Sequence, residues 1–120
     1  MMGINIFIGV ALGGAVGSLL RAGLSNWMVS KPLWAVSVVN LLGALMIGGL
    51  SKWSMQTGGG DFFRAFWIVG ICGGFTTFSA FGWDLFSLLQ RDAWAEAILY
   101  ASTNFLGTLL FIWIGFRLVS

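Results

Sequence analysis

The sequence predicts an all-α membrane protein: four transmembrane helices in a single domain, residues 1–120, with the third helix broken near its middle. Three observations predict it. The chain is 58% apolar and only 8% charged, too little polarity to cover the apolar surface of a soluble domain of this length. Four uncharged apolar stretches follow one another, Met1 to Leu20, Leu33 to Ser51, Ala65 to Trp83 and Ala97 to Phe116, each close to the roughly 20 residues that a helix needs to cross lipid. Inside the third lies Gly70 to Gly82, with paired glycines, the hydroxyls of Thr76, Thr77 and Ser79, and phenylalanines at every third position (Phe75, Phe78, Phe81).

The first stretch extends from about Gly3 into the region of Arg21 to Trp27, with Gly9, Gly13 and Gly17 on one helical face. Small residues at that spacing let a neighbouring backbone approach closely, within a subunit or between subunits. It reads as a span and not as a cleaved signal, since no basic segment precedes it and three spans follow. Pro32 suits the start of the second helix, where a missing amide donor costs nothing. Lys52 to Asp61, with Gly58-Gly59-Gly60, reads as a flexible loop. The third helix extends over Phe62 to Leu89, longer than a straight crossing of a ~30 Å hydrocarbon core requires. A break near Gly73-Gly74 accommodates the surplus. A turn at Arg91-Asp92 leads into the fourth, and Trp27, Trp34, Trp53 and Trp94 form an aromatic belt at the predicted ends.

Four spans return the chain to the side on which it began. Lys52, Arg64 and Arg117 fall on the side of the termini and Arg21, Lys31 and Arg91 on the other. Three basic residues against three set no preferred orientation. The chain is therefore expected to insert both ways and to pair as an antiparallel, dual-topology homodimer. The two halves of the sequence share no repeat, so inverted symmetry has to come from a flipped second copy.

The chemistry is restricted by what is missing. The chain has no histidine, which removes the commonest general base and zinc ligand. Its single Cys72 forms no intrachain disulfide, and the scattered basic residues of a chain with net charge +2 read as interfacial anchors and not as a nucleic-acid surface. Gly58-Gly59-Gly60-Asp61 matches a motif of intramembrane aspartyl proteases, but no second aspartate faces it at membrane depth. Irregular backbone within lipid is tolerated only where it is buried in protein or lines a polar pathway. The Gly70 to Gly82 segment is thus the expected functional centre, and a permeation device fits it better than an enzyme does.

Asn40, about eight residues into the second span, needs a partner, because an unpaired amide in hydrocarbon costs several kcal/mol. It serves either as glue between helices or as a lining group. Asn104, with Ser102, Thr103 and Thr108, presents the same choice, and Tyr100 shares a face with Asn104 and Thr108. Arg21 ends the first uncharged run, where it snorkels to headgroups or concentrates anions at a vestibule. Asp84 is the only acid within a span. The edges of Phe75, Phe78 and Phe81 beside hydroxyl and amide donors offer an anion a lining without a fixed cation, which would hold it too tightly for throughput.

Gly13-Gly14-Ala15-Val16-Gly17 with Arg21, Val39-Asn40-Leu41-Leu42-Gly43, and Gly73-Gly74-Phe75-Thr76-Thr77-Phe78-Ser79-Ala80-Phe81 together resemble the Fluc (CrcB) family of fluoride channels, over essentially the whole chain. The resemblance implies a dual-topology homodimer with two antiparallel pores that export fluoride passively from the cytoplasm across a prokaryotic inner membrane. It implies Phe78 and Phe81 as pore phenylalanines, Asn40 as a donor at the pore and Ser79 in a hydroxyl track, with Tyr100 and Thr108 from the fourth span; Thr77 and Asn104 are expected along the same pathway from their positions. It also implies a structural sodium ion held by the backbone carbonyls of Gly73 and Thr76. The chain departs from the family pattern at Ala80 and Gly82, where hydroxylated residues are common, and has Asp84 for a common glutamate. A small multidrug-resistance type exporter is the alternative with four short spans. Such exporters depend on a glutamate in the first span, and Met1 to Leu20 contains no acid.

Overall fold

Each apolar stretch of the sequence becomes a helix in the computed structural model, which describes residues 3–120. The Met1 end of the first stretch lies outside the described residues. Helix α1 (Ile4–Trp27) and helix α2 (Pro32–Thr57, with Pro32 in its first turn) are continuous. The third span, Asp61–Gln90, is divided into α3 (residues 61–75) and α4 (Phe78–Gln90). Helix α5 (Trp94–Leu118) closes the chain. All four spans are long and apolar enough to cross a membrane, and Trp27, Trp34, Trp53 and Trp94 stand exposed near helix ends, as an aromatic belt requires.

Two helix pairs make up the body: α1 lies along α3, and α2 along α5, with little contact between α1 and α2. Helix α4 packs on α5 and α2. Glycine creates both main seams. A methyl group on Gly13 or Gly17 would collide with the carbonyl oxygen of Phe66 or Ile71 in α3, and one on Gly48 or Gly115 would collide across the α2–α5 seam. The Gly9, Gly13, Gly17 stripe is therefore consumed within the chain, where close backbone approach substitutes for the hydrophobic drive that lipid does not provide.

Three details differ from the sequence expectations. Lys52 to Thr57 is helical, and the loop shrinks to Gly58–Gly60. Only Gly58 adopts the left-handed conformation that ends α2 (φ 66°). The Lys52 ammonium sits 4.7 Å from the Phe116 ring centroid, so its polarity does not end the helix. The break falls at Thr76-Thr77 and not at Gly73-Gly74: Thr76 and Thr77 are extended, whereas Gly73–Phe75 is helical. Gly74 serves packing instead, since a side chain there would meet the Gly14 carbonyl oxygen at 2.6 Å. Finally, Arg64–Cys72 is wound as a π-helix, for which neither composition nor periodicity carries a signal.

Candidate functional site at the helix break

Two consecutive extended residues at membrane depth strip the backbone of helical partners, and the surrounding side chains replace them. Asn40 of α2 does most of this. Its Oδ1 accepts the Thr77 N–H at 2.8 Å, while its Nδ2 donates to the Thr77 carbonyl at 3.0 Å and to Asn104 Oδ1 of α5 at 3.0 Å. The Thr77 peptide thus makes a two-point pairing with one amide side chain. Because its N–H and C=O face opposite ends of that amide, they fix which way the amide points.

Asn104, 5% exposed, donates in turn to the Ser37 hydroxyl and to the Tyr100 carbonyl, each at 3.0 Å. Tyr100 donates its hydroxyl to Asp84 at 2.9 Å. No buried side-chain polar atom among the described residues lacks a partner. Gly43, one turn beyond Asn40, leaves the space that the Thr76 methyl occupies, so α2 approaches the break at van der Waals distance.

Asn40, expected as a donor at the pore, also bonds across the break to Thr77 and Asn104. Thr77 is also the N-cap of α4: its Oγ1 accepts from Ala80 N at 3.1 Å and lies 3.4 Å from Ser79 Oγ. In the Thr77–Ser79 contact either hydroxyl can be the donor.

Two cavities adjoin the break. One, of about 320 Å³, is lined by Asn40, Thr76, Thr77, Phe78, Phe81, Asn104 and Thr108, with Ala44, Ile47, Phe105, Leu109 and Ile112. It carries no charged side chain. The other, of about 540 Å³, is lined by Ser18, Arg21, Ser25, Thr77 and Ser79, with Ala22, Val36, Val39 and Ala80. Arg21 lines this polar cavity, and Nη1 of its guanidinium also donates to the Thr76 carbonyl at 3.1 Å. The amides of Phe78 and Ser79 begin α4, where intrahelical acceptors are missing and the helix dipole is positive. The vestibule between Arg21 and Ser79 therefore favours an anion.

The phenylalanines divide. Phe81 is 9% exposed and packs in tilted pairs with Tyr100 at 5.3 Å and Phe78 at 5.6 Å, whereas Phe78 itself is 80% exposed. The two rings thus stand in different surroundings within one chain. Phe78 stands at a surface because the extended Thr76-Thr77 link turns the start of α4 outward.

Sequence reasoning singled out Asn40, Thr77, Ser79, Phe78, Phe81, Asn104 and Thr108, and the fold gathers them at the break. Tyr100 joins through its carbonyl and its ring. Ser37 was missed, as were Ser18 and Ser25 of the vestibule. Ser37 lies one helical turn before Asn40, and that interval was the available signal.

The carbonyl set expected for sodium fits in part. Gly73 O loses its helical donor because the Thr77 N–H turns to Asn40. Thr76 O is outside any helix and already accepts from Arg21, with one lone pair remaining.

Comparison with known proteins places these features in a family. Residues 8–116 match the family described as CrcB-like protein, Camphor Resistance (CrcB). A Thermus thermophilus protein named "Fluoride-specific ion channel FluC" is 39% identical over 122 aligned residues, spanning 98% of this chain and 95% of its own length. Proteins of the same name from Helicobacter pylori and Helicobacter acinonychis are each 43% identical over 110 residues, spanning 85% of this chain and 84% and 86% of their own lengths. With four membrane-crossing helices and a match over almost its whole length, this chain is a multi-pass membrane protein of the CrcB-like family.

Proposed function

We propose that the chain forms a fluoride-selective channel that lets fluoride leave the cytoplasm across a prokaryotic cytoplasmic membrane. The observation that carries this reading is the break itself: a charge-free cavity of ring edges, amides and hydroxyls opens beside an electropositive vestibule. The names of the relatives supply the ion. Fluoride is small and strongly hydrated, so its water must be exchanged for several donors at once. Arg21, the leading amides of α4 and the Thr77 and Ser79 hydroxyls gather the anion. Phe78 and Phe81 then present ring edges, whose quadrupole is positive, and Thr108 adds a hydroxyl further along α5. No lining group of that inner cavity is a cation, so the ion is released as readily as it is taken up.

No energy source is needed. Hydrogen fluoride enters as the neutral acid and dissociates in the less acidic cytoplasm, and a negative interior drives the anion out at about 2.3 kcal/mol per 100 mV. The absence of any acid in α1 removes the group on which proton-coupled export of cationic drugs depends.

The working unit in this reading is an antiparallel homodimer. Phe78, exposed in the single chain, would then be covered by the partner. A structural sodium ion at the centre would be held by the carbonyls of Gly73 and Thr76, and the chemistry it supplies is a fixed positive charge that lowers the cost of anions nearby. The test is fluoride efflux from liposomes containing purified protein, with sodium present and with sodium replaced by a large organic cation. Expected are fluoride flux without chloride flux, and a lower rate without sodium. No fluoride flux overturns the channel, and flux indifferent to verified sodium removal overturns the sodium site alone.

A further inference from the structure

We infer that the first turns of α2 and α5 together form a seat for the headgroup of a phospholipid that ends in a primary ammonium group. A cavity of about 330 Å³ lies there, distinct from the two at the break, and its lining includes Trp34 and Ser37 of α2 with Glu96, Leu99 and Thr103 of α5. Trp34 and Glu96 are each the third residue of their helix. As the second and fourth spans, the two helices enter the membrane from the same side. The mouth of the cavity is therefore at headgroup level, where Trp34, 51% exposed, belongs to the aromatic belt. Ser37 lies one turn beyond Trp34 and Thr103 two turns beyond Glu96, about 5 Å and about 10 Å deeper at roughly 1.5 Å per residue.

The lining holds unmet polar groups of both kinds. Ser37 is 2% exposed; its Oγ accepts from Asn104, and its own hydrogen has no acceptor among the described residues. The Glu96 carboxylate, the Trp34 indole N–H and the Thr103 hydroxyl likewise make no hydrogen bond, and Glu96 no ion pair, among the described residues. An acceptor with a full negative charge thus stands at the mouth, and hydroxyl donors stand below it. That is the complement of a headgroup with ammonium outermost and phosphate beneath. The ammonium gives Glu96 charge-assisted hydrogen bonds and meets the face of the Trp34 ring. Ser37 then donates to a phosphate oxygen and Thr103, deeper, to a glycerol ester, while Leu99, 58% exposed, lies beside the acyl chains. A headgroup without the ammonium leaves the carboxylate alone beside a phosphate of like charge.

The test is native mass spectrometry of the purified protein in a neutral detergent while dilauroyl phosphatidylethanolamine or dilauroyl phosphatidylglycerol is titrated in. The parent should take up the first at about fivefold lower concentration than the second, since only the first brings an ammonium to Glu96. Glu96→Gln, an exposed and nearly isosteric change, should bring the two lipids to within about twofold of each other. Trp34→Leu should weaken the ethanolamine lipid and leave the glycerol lipid unchanged. Thr103→Val should weaken both alike, because the acceptors it serves are common to both. Size exclusion and thermal unfolding check that each variant assembles as the parent does. A preference that survives both Glu96→Gln and Trp34→Leu places the lipid elsewhere on the belt and overturns the inference. A parent with no preference overturns it as well, and if Glu96→Gln then elutes as a smaller species, the cavity belongs to a second copy of the chain. None of these outcomes is read through fluoride flux, so the channel reading stands or falls separately.

Discussion

Replacing Phe78 or Phe81 by isoleucine separates ring chemistry from apolar bulk, and the structure sets different costs for the two. Phe81 makes tilted ring pairs with both Tyr100 and Phe78, whereas Phe78 pairs with Phe81 alone. At roughly 0.5–1.5 kcal/mol per aromatic pair, losing Phe81 forfeits about 1–3 kcal/mol and losing Phe78 about half of that. Phe81→Ile should therefore lower the unfolding temperature of the purified protein more than Phe78→Ile. Flux should not follow that order, because both rings line the same cavity. If one ring edge contributes to the ion about what it contributes to another ring, then at 1.4 kcal/mol per tenfold its loss slows passage by roughly twofold to tenfold. Fluoride efflux from liposomes, read with a fluoride electrode on variants that elute as the parent does, measures this. If both variants assemble normally and conduct at the parent rate, the rings are ordinary packing and the ring-edge mechanism is wrong.

Three further outcomes are expected. Gly17→Ala places a methyl group against the Ile71 carbonyl and should destabilise the protein by about 1–3 kcal/mol. Gly23→Ala, on the same helix with open space around it, should be neutral or slightly stabilising in thermal unfolding. Arg21→Gln should slow flux most at low ionic strength, and the deficit should shrink as salt shortens the Debye length to about 8 Å near 0.15 M. A deficit independent of salt would instead assign Arg21 to its bond with the Thr76 carbonyl. Adding several lysines to the turns at either face should bias orientation, and oppositely biased versions should regain full activity only when produced together. Full activity from one fixed orientation would sink the antiparallel dimer.

The four spans and the seams between them are legible in the sequence because each has a local cause. Length and apolarity fix the crossings, and a four-residue glycine interval puts three small residues on one face, where α3 then lies. The break is legible in kind but misplaced by about three residues. Glycine pairs suggest weak helix, yet Gly73 and Gly74 remain helical, with α1 packed closely against Gly74. The chain opens at Thr76-Thr77, where Asn40 offers the Thr77 peptide both a donor and an acceptor from another helix. A tertiary pairing 37 positions apart in sequence has no local signature.

The same pairing explains why a broken helix suits ion passage here. Opening the backbone between α3 and α4 separates two dipole ends that a continuous helix would cancel. The start of α4, with its unpaired amides, turns toward the vestibule of Arg21 and Ser79. The end of α3 leaves carbonyls, Gly73 O among them, without their helical donors. Freed amides and freed carbonyls thus arise from one two-residue link, where the Arg21 guanidinium already donates to the Thr76 carbonyl. The Thr77 peptide, which lipid could not satisfy, is met by Asn40, and Asn40 in turn by Asn104. Asn40 and Asn104 thus stabilise the break from the side, and they line the same cavity as the rings of Phe78 and Phe81 and the hydroxyl of Thr108.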